Sequence, residues 1–450
     1  SYIQQVFLFC DCMNDILLST SVPESSHYLR AVTDMAQQRA VVAQDAIYTE
    51  NGIKLIEKGV QVDRHLYDRL VQHKLREPID SHLSVDSPVS TDFLLATALA
   101  LTSSAPLAQL LVQKSGSVQT LLAPLQTMPL PPSIAFKLTV MREQRPELFQ
   151  HSVLMVLVTA FLGIQAGLKQ EDRVALAAAA LLHDIGVLHM DAAWLDPQHT
   201  MTGAERKHLV AHPITAMLMV RDAKVYPRAV EIAVMEHHER MDGTGYPRSL
   251  LGDNLSPLGQ ILLLAEVVTA FYDKYPDTPA QQLGLVLRLN ARKFPADLCT
   301  HVRALLHDED RSHDADLLPM GADAPRYIQQ LVQAFSLWEA AKKTVPELAL
   351  SEAIAQGANN MLGFIDARLR SLAKVLAEAG AHPEQQSIVL EQLQGDDAAM
   401  AEVAVVGREA LWQLQNIVNA AQRRWPASLA RSHRADIAAA QWCEQVHRPL

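Results

Sequence analysis

Cysteine is scarce in this chain. Its four residues, Cys10, Cys12, Cys299 and Cys443, are too few for a disulfide framework, so packing has to supply stability. The Cys10–Cys12 spacing could suit a metal or redox pair. With no second pair nearby, the two read as ordinary half-buried thiols. Positive charge is short as well: 39 Lys and Arg face 50 Asp and Glu, a net charge of −11. That excludes broad, sequence-independent binding to nucleic acid or an anionic membrane, while a local basic pocket stays open. Long apolar runs are also missing. The longest, "SVLMVLVTAFLGIQAGL" at 152–168, sits near the lower limit for a membrane span and contains Gln165 and two glycines, so a buried core helix is expected. The opening "SYIQQVFLFCDCMNDILL" lacks a basic region and a small-residue cleavage site, and is not read as a signal peptide. The expectation is a cytoplasmic protein without a membrane span.

What is present is a globular composition, 20% charged and 49% hydrophobic, in 450 residues. Such a length suggests roughly two to four domains. Residues 40–80 carry short β-rich runs broken by Asn51-Gly52, a hairpin signal, followed by a helix from about Asp63. "SHLSVDSPVS" at 81–90 has the composition of a linker. From 91 to 322 the pattern is almost wholly helical, with Ser256-Pro257 suiting a helix start. The rest is helical without strand signals, broken at Pro346, at 380–383 and at Pro426, with Trp338, Trp412, Trp425 and Trp442 as core or helix-contact residues. The expected architecture is mainly α: a small N-terminal α/β module (1–85), a helical connector (86–135), a main helical domain (136–322) and a C-terminal helical region (323–450).

Chemistry concentrates in the main domain. In "ALLHDIGVLHMD", His183 and Asp184 end an alanine-rich helix; neighbouring helical positions point about 100° apart, so the pair can flank a cluster rather than share one spot. His237 and His238 repeat this at a second helix end, just before Asp242-Gly243-Thr244-Gly245-Tyr246-Pro247. Glu147 and His151 lie at i and i+4, on one helix face. His212 precedes Pro213, and Glu266 interrupts an apolar helix where a carboxylate needs a partner. Each has an ordinary explanation alone: a core histidine, a cap, a wetted face, a plain turn. Together, five histidines with carboxylates and a glycine-rich loop form a donor set for two or three metals.

"HDIG" followed by "HHERMDGTGYP" resembles the HD-GYP family of the HD superfamily of metal-dependent phosphohydrolases, over roughly residues 136–290. The resemblance implies an HD-superfamily helical bundle. It implies hydrolysis of cyclic di-GMP to pGpG, and often onward to GMP. Its metal ligands fall on Glu147, His151, His183, Asp184, His212, His237, His238 and Glu266, the last in place of the family's aspartate. His183 and Asp184 are the catalytic pair, with Asp184 bridging metals and a bridging hydroxide as nucleophile. Iron or manganese is expected, with zinc open. In the loop, Gly243 and Gly245 allow close backbone approach, Pro247 stiffens the exit, Asp242 can bind loop amides or orient a histidine, and Tyr246 offers a ring at the pocket wall. Arg240 and Arg248 flank it; either could contact phosphate, although a solvated position is the commoner one for arginine.

The departures are specific. Val187 stands where the family's HDxGK motif has lysine, removing a positive charge beside the phosphate. Thr269 replaces a second aspartate, Ala216 replaces a glycine, and "FYDKYP" replaces an RPY-like segment. Three readings follow: an active cyclic di-GMP phosphodiesterase, a degenerate member that binds metal and nucleotide or a diguanylate cyclase (GGDEF) partner with little turnover, or a phosphohydrolase for another nucleotide. A homodimer through helical elements is a further expectation.

Overall fold

The computed structural model describes residues 26–196, 199, 203–275, 279–306, 322–378, 397–425 and 434–447. Cys10, Cys12 and the breaks at 380–383 and Pro426 lie outside them. Two units result. One takes in the described residues up to Lys274 together with Arg292–Leu305; the other comprises Tyr275–Ala291 and the described residues from Leu306 onward.

The first unit begins with α1 (Ser26–Met35) and four short strands, β1 (Val41–Ala43), β2 (Ile47–Tyr48), β3 (Lys54–Ile56) and β4 (Leu83–Val85), with α2 (His65–Val71) between the last two. β2 and β3 form the hairpin that Asn51-Gly52 signals, with Gly52 at φ +81° in the left-handed region. β1 pairs antiparallel with β4, Val41 opposite Val85. The stretch read as a linker at 81–90 therefore contains a strand. Leu83 and Val85 alternate inward around Ser84, a signal three residues long and masked by its polar neighbours.

Helices α3 (Thr91–Ser104), α4 (Pro106–Ser115), α5 (Val118–Thr127) and α6 (Pro132–Gln144) pack around α7 (Pro146–Gln165). Ser90 caps α3 by accepting from the Phe93 amide, and Pro106, Pro132 and Pro146 begin their helices, where a missing N–H costs nothing. By length and composition α7 could cross a membrane, but 83% of its apolar window is buried inside the protein, as a core helix requires. Against it lies α8 (Gln170–Leu182), whose run from Ala175 to Leu182 is wholly buried, small side chains permitting close approach. Then come a 3-10 turn at Ile185–His189, α9 (Gly203–Asp222), α10 (Arg228–Glu236) and α11 (Pro257–Lys274). Ser256 caps α11 through the Gly259 amide. The architecture is mainly α with a small N-terminal α/β region, as expected.

α13 (Ala296–Leu306) lies in the first unit but for its last residue; the second unit gathers α12 (Pro279–Leu289), α14 (Ala324–Lys343), α15 (Glu347–Gln356), α16 (Met361–Glu378), α17 (Asp397–Arg424) and α18 (Arg434–His447). Its core centres on Trp338 and Trp442, edge to face at 5.1 Å. The Trp338 Nε1–H donates to the buried Asp366 carboxylate at 3.2 Å, and Arg370 pairs with that carboxylate at 2.8 Å. Trp338→Ala should cost this unit about 3–5 kcal/mol, read as an earlier urea transition by circular dichroism. A shift below about 1 kcal/mol would contradict the packing.

Candidate metal centre

Three of the histidines are held in one way. A helix leaves the carbonyls of its last turn without amide partners, and a proline inside a helix frees the carbonyl four residues earlier. α8 ends at Leu182, and His183 Nδ1 donates to the Ala180 carbonyl at 2.7 Å. α10 ends at Glu236, and His237 Nδ1 donates to the Val234 carbonyl at 2.6 Å. In α9, Pro213 cannot donate to Leu209, and His212 Nδ1 takes that carbonyl instead. A carbonyl only accepts, so Nδ1 carries a proton each time and Nε2 faces inward. That arrangement is the one a metal requires.

The nitrogens converge on two carboxylates. Asp184 Oδ1 lies 3.1 Å from His212 Nε2 and 3.6 Å from His237 Nε2; its Oδ2 lies 3.4 Å from His183 Nε2. Glu266 Oε2 lies 3.4 Å from His183 Nε2 and 3.1 Å from His151 Nε2. Two groups of donors result, Asp184 with His212, His237 and His238, and Glu266 with His151 and His183, each within 4.8 Å. The two Asp184 oxygens face one group each. His238 is 1% exposed, and neither of its ring nitrogens has a hydrogen-bond partner among the described residues.

Burial disfavours charge throughout. It pushes His237 down to about 4 and holds His238 well below the usual imidazole range. At Asp184 burial opposes ionisation, but the surrounding histidines overcome it and hold the carboxyl well below its ordinary value; Glu266 behaves likewise beside His151 and His183. At His183 burial is outweighed by Asp184 and Glu266, raising it to about 9. His151 is likewise held well above the usual imidazole range, because Glu266 and Asp273 outweigh its burial; apart from His151 and His183, whose protons a cation would displace, these are coordinating states. Buried imidazole nitrogens without partners beside ionised carboxylates are a donor set that fits divalent metal ions.

Other expected residues fall elsewhere. Glu147 is exposed in the first turn of α7 and joins neither group. Sharing a helix face with His151 does not bring it to the same depth, because that turn lies at the surface. Asp273 instead holds the outer nitrogen of His151, Oδ2 to Nδ1 at 2.8 Å. It belongs to "FYDKYP" and lies two helical turns beyond Glu266 on α11, a spacing readable from sequence. Thr269 is buried and donates to the Ala265 carbonyl, with Met155 Sδ at 3.2 Å. Val187 is fully buried.

The loop after His238 is pinned from within. Glu239, buried, accepts the amides of Arg248 at 2.6 Å and Leu250 at 3.0 Å. Glu236 accepts the Ser256 amide at 2.9 Å and pairs with the Arg248 guanidinium at 2.7 Å. Sequence reasoning passed over both carboxylates. Asp242 Oδ1 accepts from Thr244 N and Oγ1 at 3.0 and 2.6 Å, closing the turn. Gly243 has φ +73°. A Cβ on Gly245 would lie 2.3 Å from the backbone of Glu239 and Arg240, so that glycine serves the loop's own packing. Tyr246 is buried with its ring 4.8 Å from the His238 ring, and Pro247 follows. Arg240 is buried rather than solvated: 6% exposed, donating to the Glu239 carbonyl, with Phe294 beneath it at 6.0 Å.

Residues 139–292 match the family model described as HD domain. A stretch of 139 residues, 31% of this chain, is 31% identical to the 3'3'-cGAMP-specific phosphodiesterase 3 of Vibrio cholerae and covers 30% of that protein. A stretch of 120 residues, 27% of the chain, is 30% identical to the cyclic di-GMP phosphodiesterase PdeB of Borreliella burgdorferi and covers 31% of it. The matches thus span about a third of those relatives' own length. An HDG"Y"P protein from Bdellovibrio bacteriovorus superposes on 60% of the chain and 97% of its own, at 16% identity and a TM-score of 0.33, a likeness too slight to carry weight.

Gly186 offers a test of how the site is assembled. A Cβ there would lie 2.3 Å from the His212 carbonyl oxygen and 2.8 Å from the Ala216 nitrogen. Gly186→Ala should therefore cost about 1–3 kcal/mol or more and lower metal content, by thermal unfolding and elemental analysis. A variant with wild-type melting and metal content would contradict this packing.

Proposed function

Since the chain carries an HD domain of the HD-GYP kind, we propose that it is a metal-dependent phosphodiesterase of the cytoplasm that opens cyclic dinucleotides, cyclic di-GMP first among them, to pGpG or GMP. The observation that supports this most is Asp184, a buried carboxylate with one oxygen toward each of two groups of histidine-rich donors. When bound, two or three divalent ions, iron or manganese by the donor set, would neutralise the phosphodiester and acidify a water.

The chain's own residues orient and enclose. His183, His212 and His237 are braced through Nδ1 against helix carbonyls with Nε2 turned to the site, so little reorganisation is needed on binding. Exposure rises from none at His183 to 9% at His151 and 38% at the Asp273 side chain, so the α7–α11 side is the more open one and is proposed as the approach for substrate. Asp242, Gly243, Gly245, Tyr246 and Pro247 form a stiff wall over His238. Arg240 supplies a buried cation within that wall, where a phosphate could use it.

A second reading has its own support. Val187, apolar and fully buried, leaves no ammonium at the place where the family carries one. A receptor that binds metal and nucleotide, or a diguanylate cyclase partner, with little turnover is consistent with that loss.

Hydrolysis distinguishes the two. Protein purified anaerobically with iron or manganese should convert cyclic di-GMP, assayed beside 3'3'-cGAMP, to linear products resolved by chromatography. His183→Ala and Asp184→Ala should each lower the rate by roughly a hundredfold or more. No product from metal-loaded protein would leave the receptor reading, and faster cleavage of another nucleotide would move the substrate class.

A further inference from the structure

The turn Ile185–His189, which follows the His183–Asp184 pair, is gripped from two sides. On one side is α9, whose backbone Gly186 touches at the ligand residue His212. On the other is α1, the first described helix of the N-terminal module. Two consecutive residues of α1 make the contact. Tyr28, 1% exposed, stacks on His189 with centroids 4.9 Å apart and planes within 9°. His27 lies 5.6 Å from the Trp194 ring and 3.8 Å from the Asp191 carboxylate. Trp194 is in turn 5.5 Å from His208 on α9, one turn before His212. The segment 185–195 is therefore held between the N-terminal helix and a helix that carries a candidate ligand.

His189 has an unusual place in this arrangement. Both of its ring nitrogens are buried without a hydrogen-bond partner among the described residues, whereas His183, His212 and His237 each donate to a carbonyl. What it offers is the face of its ring. Burial, together with nearby Lys137 and His27, pushes it down to about 3, so it stacks uncharged.

Gly186 leaves no slack between the turn and α9, so a displacement of α1 would pass to Asp184 and His212. We propose that Tyr28 and His189 are positioning residues through which the N-terminal module sets the geometry of the metal centre. With α1 seated, Asp184 stays between its two groups of donors; with α1 displaced, the turn relaxes and the centre binds metal less tightly. The inference rests on the reading of the site as a metal centre.

Coupling of this kind is reciprocal, and that allows a test on the unaltered protein. Adding Mn²⁺ to the full chain should slow amide hydrogen exchange in Ser26–Met35 as well as around the ligands. Tyr28→Ala should weaken Mn²⁺ binding about tenfold or more, while Tyr28→Phe, which keeps the ring, should stay within about twofold. Exchange in α1 that ignores Mn²⁺ would overturn the proposal, as would a folded Tyr28→Ala that binds like the wild type. If Tyr28→Ala does not fold, the exchange result on the wild type decides alone. Failure of the wild type to bind Mn²⁺ at all would overturn the metal reading itself, and this inference with it.

Discussion

The centre depends on helix carbonyls with no amide to serve. Ala180 and Val234 lie in the last turns of α8 and α10, and Leu209 is released by Pro213 within α9. Each is taken by the Nδ1–H of the histidine three residues later. One bond thus satisfies a buried acceptor and fixes a tautomer. The histidines cannot drift from these positions without leaving a buried carbonyl unpaired, at a cost of about 1–3 kcal/mol each. Asp184 is confined in turn: a buried ionised carboxylate tolerates its place only while imidazole nitrogens surround it.

The surrounding architecture preserves that arrangement. Alanine along α8 lets it lie close to α7, which brings His183 toward His151. Gly186 brings the turn onto α9. Glu236 and Glu239 bracket the two adjacent histidines and fasten the loop so that Tyr246 covers His238. These two carboxylates shape the site without belonging to either group of donors.

Much of this could be read from the residues alone. Helix ends at His183 and His237, the loop glycines and the acidic break at Glu266 are local signals, and local signals survive without three-dimensional knowledge. What escaped depends on depth. Glu147 and His151 share a face by spacing, yet α7 emerges at the surface between them. Asp273 was legible as sharing a helix face with Glu266 seven residues earlier, but only packing shows that both meet His151. β4 carried too short an alternation to stand out among serines, and the ring that faces the buried Arg240 belongs to Phe294, fifty-four positions away. Likewise, the grouping of α12 with the second unit follows from contacts that no local pattern encodes.

Asp184, with one oxygen toward each group of donors, is proposed to join them into one metal centre. Electron paramagnetic resonance of the chain reconstituted with Mn²⁺, alongside elemental analysis, tests it most directly. At least two ions per chain with an exchange-coupled signal are expected, with that coupling lost in Asp184→Ala. A single ion, or a six-line signal from isolated Mn²⁺ that Asp184→Ala leaves unchanged, would contradict it.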